Sequence, residues 1–317
     1  MSPTGDEGLG ALIRGLADAL SSRDAEAFAA LWPDVAGDYA RAFFGRLLKS
    51  VPAGPRSGSV APLARWKDCG ILRPSWLGTG SADIGYCRIN GRLKLVWKYA
   101  AARRNLTAGW AAERTRHYLV RFSPELGSAT DLAAFDTVTE RIAEYFSLKV
   151  PGEPGEFVLL SRKDEFSGSV PPLLNKCDYV DPVTADIVST VAADRHEITH
   201  RVFLLNGFPC RALPLLQEGV AEIFNPVPYL PESSVALTPA SVRDMLDEGR
   251  FYSDVKNFSR AARFCNGVMR LLGMDVFRKL YRASAAELFP MLESFSGCGL
   301  EEFLARVMER TKLPPVA

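Results

Sequence analysis

Two histidines stand four residues apart in the stretch ADRHEITHRVF, residues 193 to 203, and Glu197 follows the first of them. The chain holds only three histidines, so this pair uses most of its imidazole. On a helix a four-residue step turns about 400°, which leaves His196 and His200 about 40° apart on one face. Both rings can then reach one tetrahedral zinc ion. Glu197 lies about 100° round from His196, where its carboxylate can meet a metal-bound water without ligating the metal.

A third ligand comes from downstream, in LPLLQEGVAEIF. The stretch NGFP at 206 to 209 ends the first helix, with Gly207 as cap and Pro209 as a stop. A second helix starting near Pro214 or Leu215 can carry Glu218 back to the histidines. Two imidazoles and one carboxylate, with a fourth position for water, make the ligand set of a catalytic zinc site. Glu222 is one turn beyond Glu218. It is placed to accept the free ring N–H of a ligating histidine, His196 first.

HExxH followed at this distance by LLQEGVAEIF resembles the gluzincin zinc metallopeptidases, the clan of thermolysin and aminopeptidase N. Leu215 stands where the clan's second motif, W-L-x-E-G-x-A, has tryptophan. The stretch ARFCNGVMRLLGMDVFRKLYRAS, residues 262 to 284, is similar to the clan's C-terminal helical region. The resemblance spans roughly 117 to 310 and is closest to a bacterial peptidase-like group that often carries an unrelated N-terminal domain. It implies His196, His200 and Glu218 as ligands of one zinc ion and Glu197 as general base.

Two departures from the clan bear on the chemistry. Aminopeptidase-like members place an oxyanion-stabilising tyrosine at the start of the helix that leads to a Leu-Gly turn. Counting back from Gly273 puts Phe258 there, and phenylalanine donates no hydrogen bond. Tyr252 or Tyr281 can substitute, and Tyr252 ranks first. Aminopeptidases also hold the free amine with a Gly-x-Met-Glu-Asn segment, where this chain reads SVPPLLNKCDYV without a glutamate. Cleavage of internal bonds is therefore expected over cleavage at free N-termini.

Other candidates have plainer readings. His117, in the strand-like RHYLVRF, reads as a structural histidine. Phe203, Phe208 and Phe224 read as core. Arg260 and Arg263 could bind a substrate carboxylate but read first as surface charges. The six cysteines, at 69, 87, 177, 210, 265 and 298, contain no CxxC pair, which excludes a zinc ribbon. They read as separate buried thiols. In an oxidising compartment Cys177 and Cys210, flanking HEITH, are the first disulfide pair to consider.

A hydrophobic share of 47% and a charged share of 24% fit a globular chain with a sizeable core. A net charge of +1 argues against nucleic acid or an anionic membrane as partner. No apolar run nears the roughly 18 residues of a membrane span. No signal peptide is visible, so the expectation is a cytoplasmic monomer acting on a peptide or protein. An export signal removed beforehand would make it secreted or cell-surface.

These residues need elements to hold them. Leu9, Leu12, Ile13, Leu16 and Leu20 mark one face of a first helix. AEAFAALW, behind Ser22 and Asp24, and DYARAFFGRLLKSV predict two more. VPAGPRSGSVAP, residues 51 to 62, reads as a loop. DIGYCRI and LKLVWKY, joined at NGR, predict a hairpin, and HYLVRFS another strand. Helices and then a curved antiparallel sheet faintly resemble the cone-shaped nuclear-transport-factor-like domains. Residues 131 to 146 read as helix, 156 to 161 as strand, 185 to 190 as a short strand or helix lead-in, and the rest as almost wholly helical. The expectation is an α+β chain. Residues 1–115 form an N-terminal α+β domain, and 116–317 a mostly helical gluzincin-like domain with a small edge sheet. Its expected function is a zinc metallopeptidase. The alternatives are a degenerate zinc-binding module and a zinc amidase or esterase for a specialised substrate.

Overall fold

A computed structural model describes residues 5–50, 60–65, 69–74, 83–89, 91–96, 98–126, 131–161, 178–209, 212–224 and 236–310. Helix and sheet are mixed, at 56% and 17%, as an α+β chain requires. The chain separates into two compact units that it enters more than once. One holds Met1–Arg114, Tyr118–Ala129 and Gly155–Val191; the other holds Thr115–His117, Thr130–Pro154 and Ala192–Ala317.

In the first unit, α1 (Gly5–Ser22) buries Leu9, Leu12, Leu16 and Leu20, the stripe that the apolar spacing predicts. Asp24 caps α2 (Ala25–Ala30) by accepting from the N–H groups of Glu26 and Ala27, each at 2.9 Å. With α3 (Gly37–Ser50) it encloses Phe28, Trp32 and Phe44. Strands β1 (Val60–Arg65), β2 (Cys69–Pro74), β3 (Ile84–Ile89) and β4 (Arg92–Val96) form an antiparallel sheet in that order. Gly91, in the β3–β4 turn, has φ of 76°, open to glycine at no steric cost.

In this sheet the sequence reading leaves out β1 and β2 and extends one strand too far. Strand β1 begins inside the stretch read as a loop, because Pro62 lies on the sheet edge beside a register shift. Strand β2 is buried almost throughout and carries no alternation to betray it. The run read as strand through Tyr99 ends at Val96, and α4 (Lys98–Leu106) takes over and packs on β2 and β3.

A second sheet in this unit has the order β5 (Ala112–Arg114), β6 (Tyr118–Phe122), β7 (Gly155–Leu159), β9 (Ile187–Ser189), β8 (Tyr179–Val180). The pairs β6–β7 and β7–β9 are parallel, and the outer strands are antiparallel. It is larger than a small edge sheet, because β5 and β8 are too short to leave a period-two signal, whereas β9 falls within 185 to 190, read as a short strand or helix lead-in. Val158, Leu160 and Val188 pack with Trp110 and Tyr179. Buried ion pairs join it to α4: Arg103 reaches Asp186 at 2.7 Å and Asp181 at 3.5 Å, and Arg104 reaches Asp186 at 3.0 Å.

Among the described residues the elements of the second unit are all helices: α5 (Leu132–Tyr145), α6 (Arg195–Leu205), α7 (Pro214–Glu222), α8 (Pro239–Asp244), α9 (Glu248–Phe251), α10 (Lys256–Leu272), α11 (Met274–Leu280), α12 (Ala285–Ser296) and α13 (Leu300–Arg310). Helix α6 packs on α5 and α7, and α7 packs closely on α10. Tyr145, Phe146, Phe203 and Phe224 form one aromatic cluster in edge-on contacts, and Phe203 also meets Phe208, Phe277 and Tyr281. Phe203, Phe208 and Phe224 are thus packing residues.

Candidate metal centre

Helix α6 carries the HEITH stretch, and both of its ends are set by local chemistry. Asp194 is the N-cap; its carboxylate accepts from the N–H groups of His196 at 3.0 Å and Glu197 at 3.3 Å. Sequence reasoning missed Asp194, although an aspartate two residues before the first histidine is a recognisable start signal. At the far end Gly207 has φ of 77°. Its N–H returns to Leu204 O, and that of Phe208 returns to Phe203 O, each at 3.1 Å. The rings of Phe203 and Phe208 meet at 4.6 Å, which completes a Schellman close.

Pro214 opens α7 at the position where a missing N–H costs nothing. Gly219, next to Glu218, lets α7 settle on α10. A Cβ there would lie 2.6 Å from Cys265 Sγ and 2.7 Å from Ala261 O. The close approach carries the Glu218 and Glu222 carboxylates, both buried, to the imidazoles of α6.

Three ligand atoms converge. His196 Nε2 and His200 Nε2 lie 3.0 Å apart. Glu218 Oε2 is 3.2 Å from the first and 3.8 Å from the second. A tetrahedral cation with bonds of about 2.0 Å has ligand-to-ligand edges of about 3.3 Å, which these three separations bracket. His196 Nδ1 lies 2.9 Å from Glu222 Oε1; donation there leaves Nε2 as the nitrogen that can turn a lone pair to an ion once its own proton is displaced. Without a metal these three atoms share protons in hydrogen bonds; a cation could take the place of those protons, so the donor set suits a metal ion. The second carboxylate oxygen of Glu222 is buried with no hydrogen-bond partner.

The electrostatics follow from burial and close charge. Burial opposes charge on His196, but its bonds to Glu218 and Glu222 carry its pKa well above the ordinary imidazole value. Burial would raise Glu218, yet the bonds from His196 and His200 hold it far below the usual carboxylate range. Burial pushes Glu197 up to about 7, with His200 and His196 opposing. A carboxyl group so tuned can take and return a proton near neutrality.

Tyr252 follows α9, and its hydroxyl donates to Glu218 Oε1 at 3.0 Å while its ring stays half exposed. Burial of the hydroxyl and the Glu218 charge raise the phenol pKa, which keeps it a donor. Phe258, in the first turn of α10, packs its ring on Phe251 and Tyr252. Tyr281 is buried among Phe203, Phe208 and Phe277.

The remaining candidates have local partners. His117 Nε2 lies 3.1 Å from Glu140 Oε1. Arg260 donates to Asp254 at 3.2 Å and Asn257 at 3.0 Å, and the buried Arg263 donates to Met308 Sδ at 3.3 Å. Cys177 and Cys210 lie outside the described residues. No helix among the described residues is long and apolar enough to cross a membrane. In comparisons with known proteins, the chain matches no family model, no curated protein and no solved structure.

Proposed function

We propose that this protein is a zinc-dependent hydrolase, a metallopeptidase that cleaves internal peptide bonds. The observation that carries the reading is the convergence of His196 Nε2, His200 Nε2 and Glu218 Oε2 within one coordination sphere. These three residues would hold the ion, and Glu222 would orient His196. Zinc, when bound, supplies a Lewis acid that brings the pKa of water toward about 7 and polarises a carbonyl.

The protein's own groups do the proton work. Glu197 accepts a proton from the attacking water and returns it to the departing amine. Its burial, with a pKa near 7, suits both halves of that task. Tyr252 donates its hydroxyl to the carbonyl oxygen as charge develops there. It stands beside a ligand carboxylate, whereas Phe258 has no donor and Tyr281 is packed in the aromatic core.

Elemental analysis of the purified protein and a casein assay test the reading together. One zinc per chain is expected, with hydrolysis that stops under a chelator and returns with added zinc. Hydrolysis that persists under chelation, or a chain that takes up no zinc, rejects it.

A further inference from the structure

The first unit contains two thiols that the sequence reads as separate. Strands β2 and β3 pair so that Cys69 lies directly opposite Cys87. Both are buried thiols not joined in a disulfide, at 6% and 1% exposure. Cys69 Sγ donates to Ala101 O of α4 at 3.4 Å, and the Cys87 thiol is hydrogen bonded to Cys69. The two side chains therefore share one face of the sheet, under α4.

We propose that Cys69 and Cys87 form a modification site, a dithiol that closes to a cross-strand disulfide when a peroxide oxidises it. Directly opposed residues of antiparallel strands have Cα atoms about 4.5 to 5.5 Å apart. A disulfide spans Cα separations of about 4.4 to 6.8 Å, so closure requires side-chain rotation and no movement of the strands. The site is independent of the metal centre, which lies in the other unit.

The chemistry balances with hydrogen peroxide as oxidant. One sulfur attacks a peroxide oxygen, the O–O bond breaks, and a sulfenic acid and one water result. The second sulfur attacks the sulfenic sulfur. The S–S bond forms, and the hydroxyl leaves with the second thiol's proton as another water. Two electrons pass from the sulfurs to the peroxide. The bond to Cys69 and burial raise the Cys87 thiol pKa, so the pair reacts slowly and stays reduced without an oxidant.

The test is peptide mapping of the folded, full-length protein after treatment with hydrogen peroxide. Remaining thiols are alkylated in denaturant without reduction. The expected result is a peptide pair linked through Cys69 and Cys87, two hydrogens lighter than the dithiol. In Cys87→Ser, whose folding is checked by thermal melting, Cys69 should become alkylatable or overoxidised and never linked. Cys69 and Cys87 both alkylated in the treated wild type, or either linked to another cysteine, overturns the proposal. The wild-type map decides even if the variant fails to fold.

Discussion

The Tyr252 hydroxyl lies 3.0 Å from Oε1 of Glu218, while Oε2 of the same carboxylate faces the two histidine rings. The tyrosine thus occupies the oxygen that the histidines leave free. It favours a one-oxygen contact between Glu218 and an ion, and in the proposed mechanism it is the donor to the reacting carbonyl. Tyr252→Phe removes the hydroxyl and little packing. We expect kcat to fall about 100-fold. Zinc affinity should fall by no more than about 10-fold, since the ligands remain. Steady-state kinetics beside zinc competition titrations separate the two effects. Unchanged kcat would remove Tyr252 from the chemistry.

Glu197→Gln keeps the shape of the side chain and abolishes its basicity. Turnover should drop by at least about 100-fold, with zinc content and melting temperature close to wild type. A variant that hydrolyses casein as fast as wild type refutes the role of Glu197.

Glu222→Ala leaves His196 Nδ1 without its 2.9 Å partner. The ring loses its fixed orientation and part of its basicity. Zinc affinity should weaken by about 10- to 100-fold, measured by competition with a chromogenic chelator. An affinity equal to wild type would mean that the contact does not tune the ligand.

Gly219→Ala tests how the second helix brings Glu218 to the site. The added carbon would meet Cys265 Sγ and the Ala261 carbonyl at under 3 Å, and a backbone oxygen cannot rotate away. The two helices must separate. We expect a loss of about 1–3 kcal/mol in urea unfolding. Weaker zinc binding should accompany it, because Glu218 moves with α7. A variant of wild-type stability and affinity would show that the contact is slack.

The buried network of the first unit predicts an acid response that has nothing to do with zinc. Burial would raise Asp186, but Arg104 and Arg103 hold it down to about 2, against an ordinary 3.8. Its folded form thus binds the proton less readily than the unfolded chain. The stabilisation it gives, about 2 kcal/mol, is present above pH 4 and lost as pH falls toward 2. Burial raises Asp181, whose effect runs the opposite way and favours the folded state at low pH. Asp186→Asn should therefore be less stable near neutrality, and the gap should narrow below about pH 4. Urea unfolding across a pH series reads this directly, and a gap constant with pH would contradict it.

Much of the candidate metal centre is readable from one dimension. His196 and His200 share a face because a helix repeats every few residues, and that repeat depends on bonds between near neighbours. Gly207, Pro209 and Pro214 mark a stop and a start, so the return of Glu218 on a second helix is legible too. The N-terminal stripe of leucines and the hairpin at Gly91 belong to the same class of local signal. Strands β5 and β8 leave no such mark, being shorter than any alternation, and β2 is masked by its burial.

What the chain order cannot express is which atoms meet. Tyr252 rather than Tyr281 stands beside Glu218 because packing turns one ring into the aromatic core and leaves the other over the site. Glu222 reaches Nδ1 of His196 through the packing of α7 against α6, while Gly219 fits α7 to α10. Cys69 and Cys87 become partners only through strand register, which hydrogen bonds between distant segments determine. Helices arise from contacts within a few residues, so sequence alone specifies them. Convergence of side chains from separate elements depends on how those elements pack, and only the tertiary structure decides that.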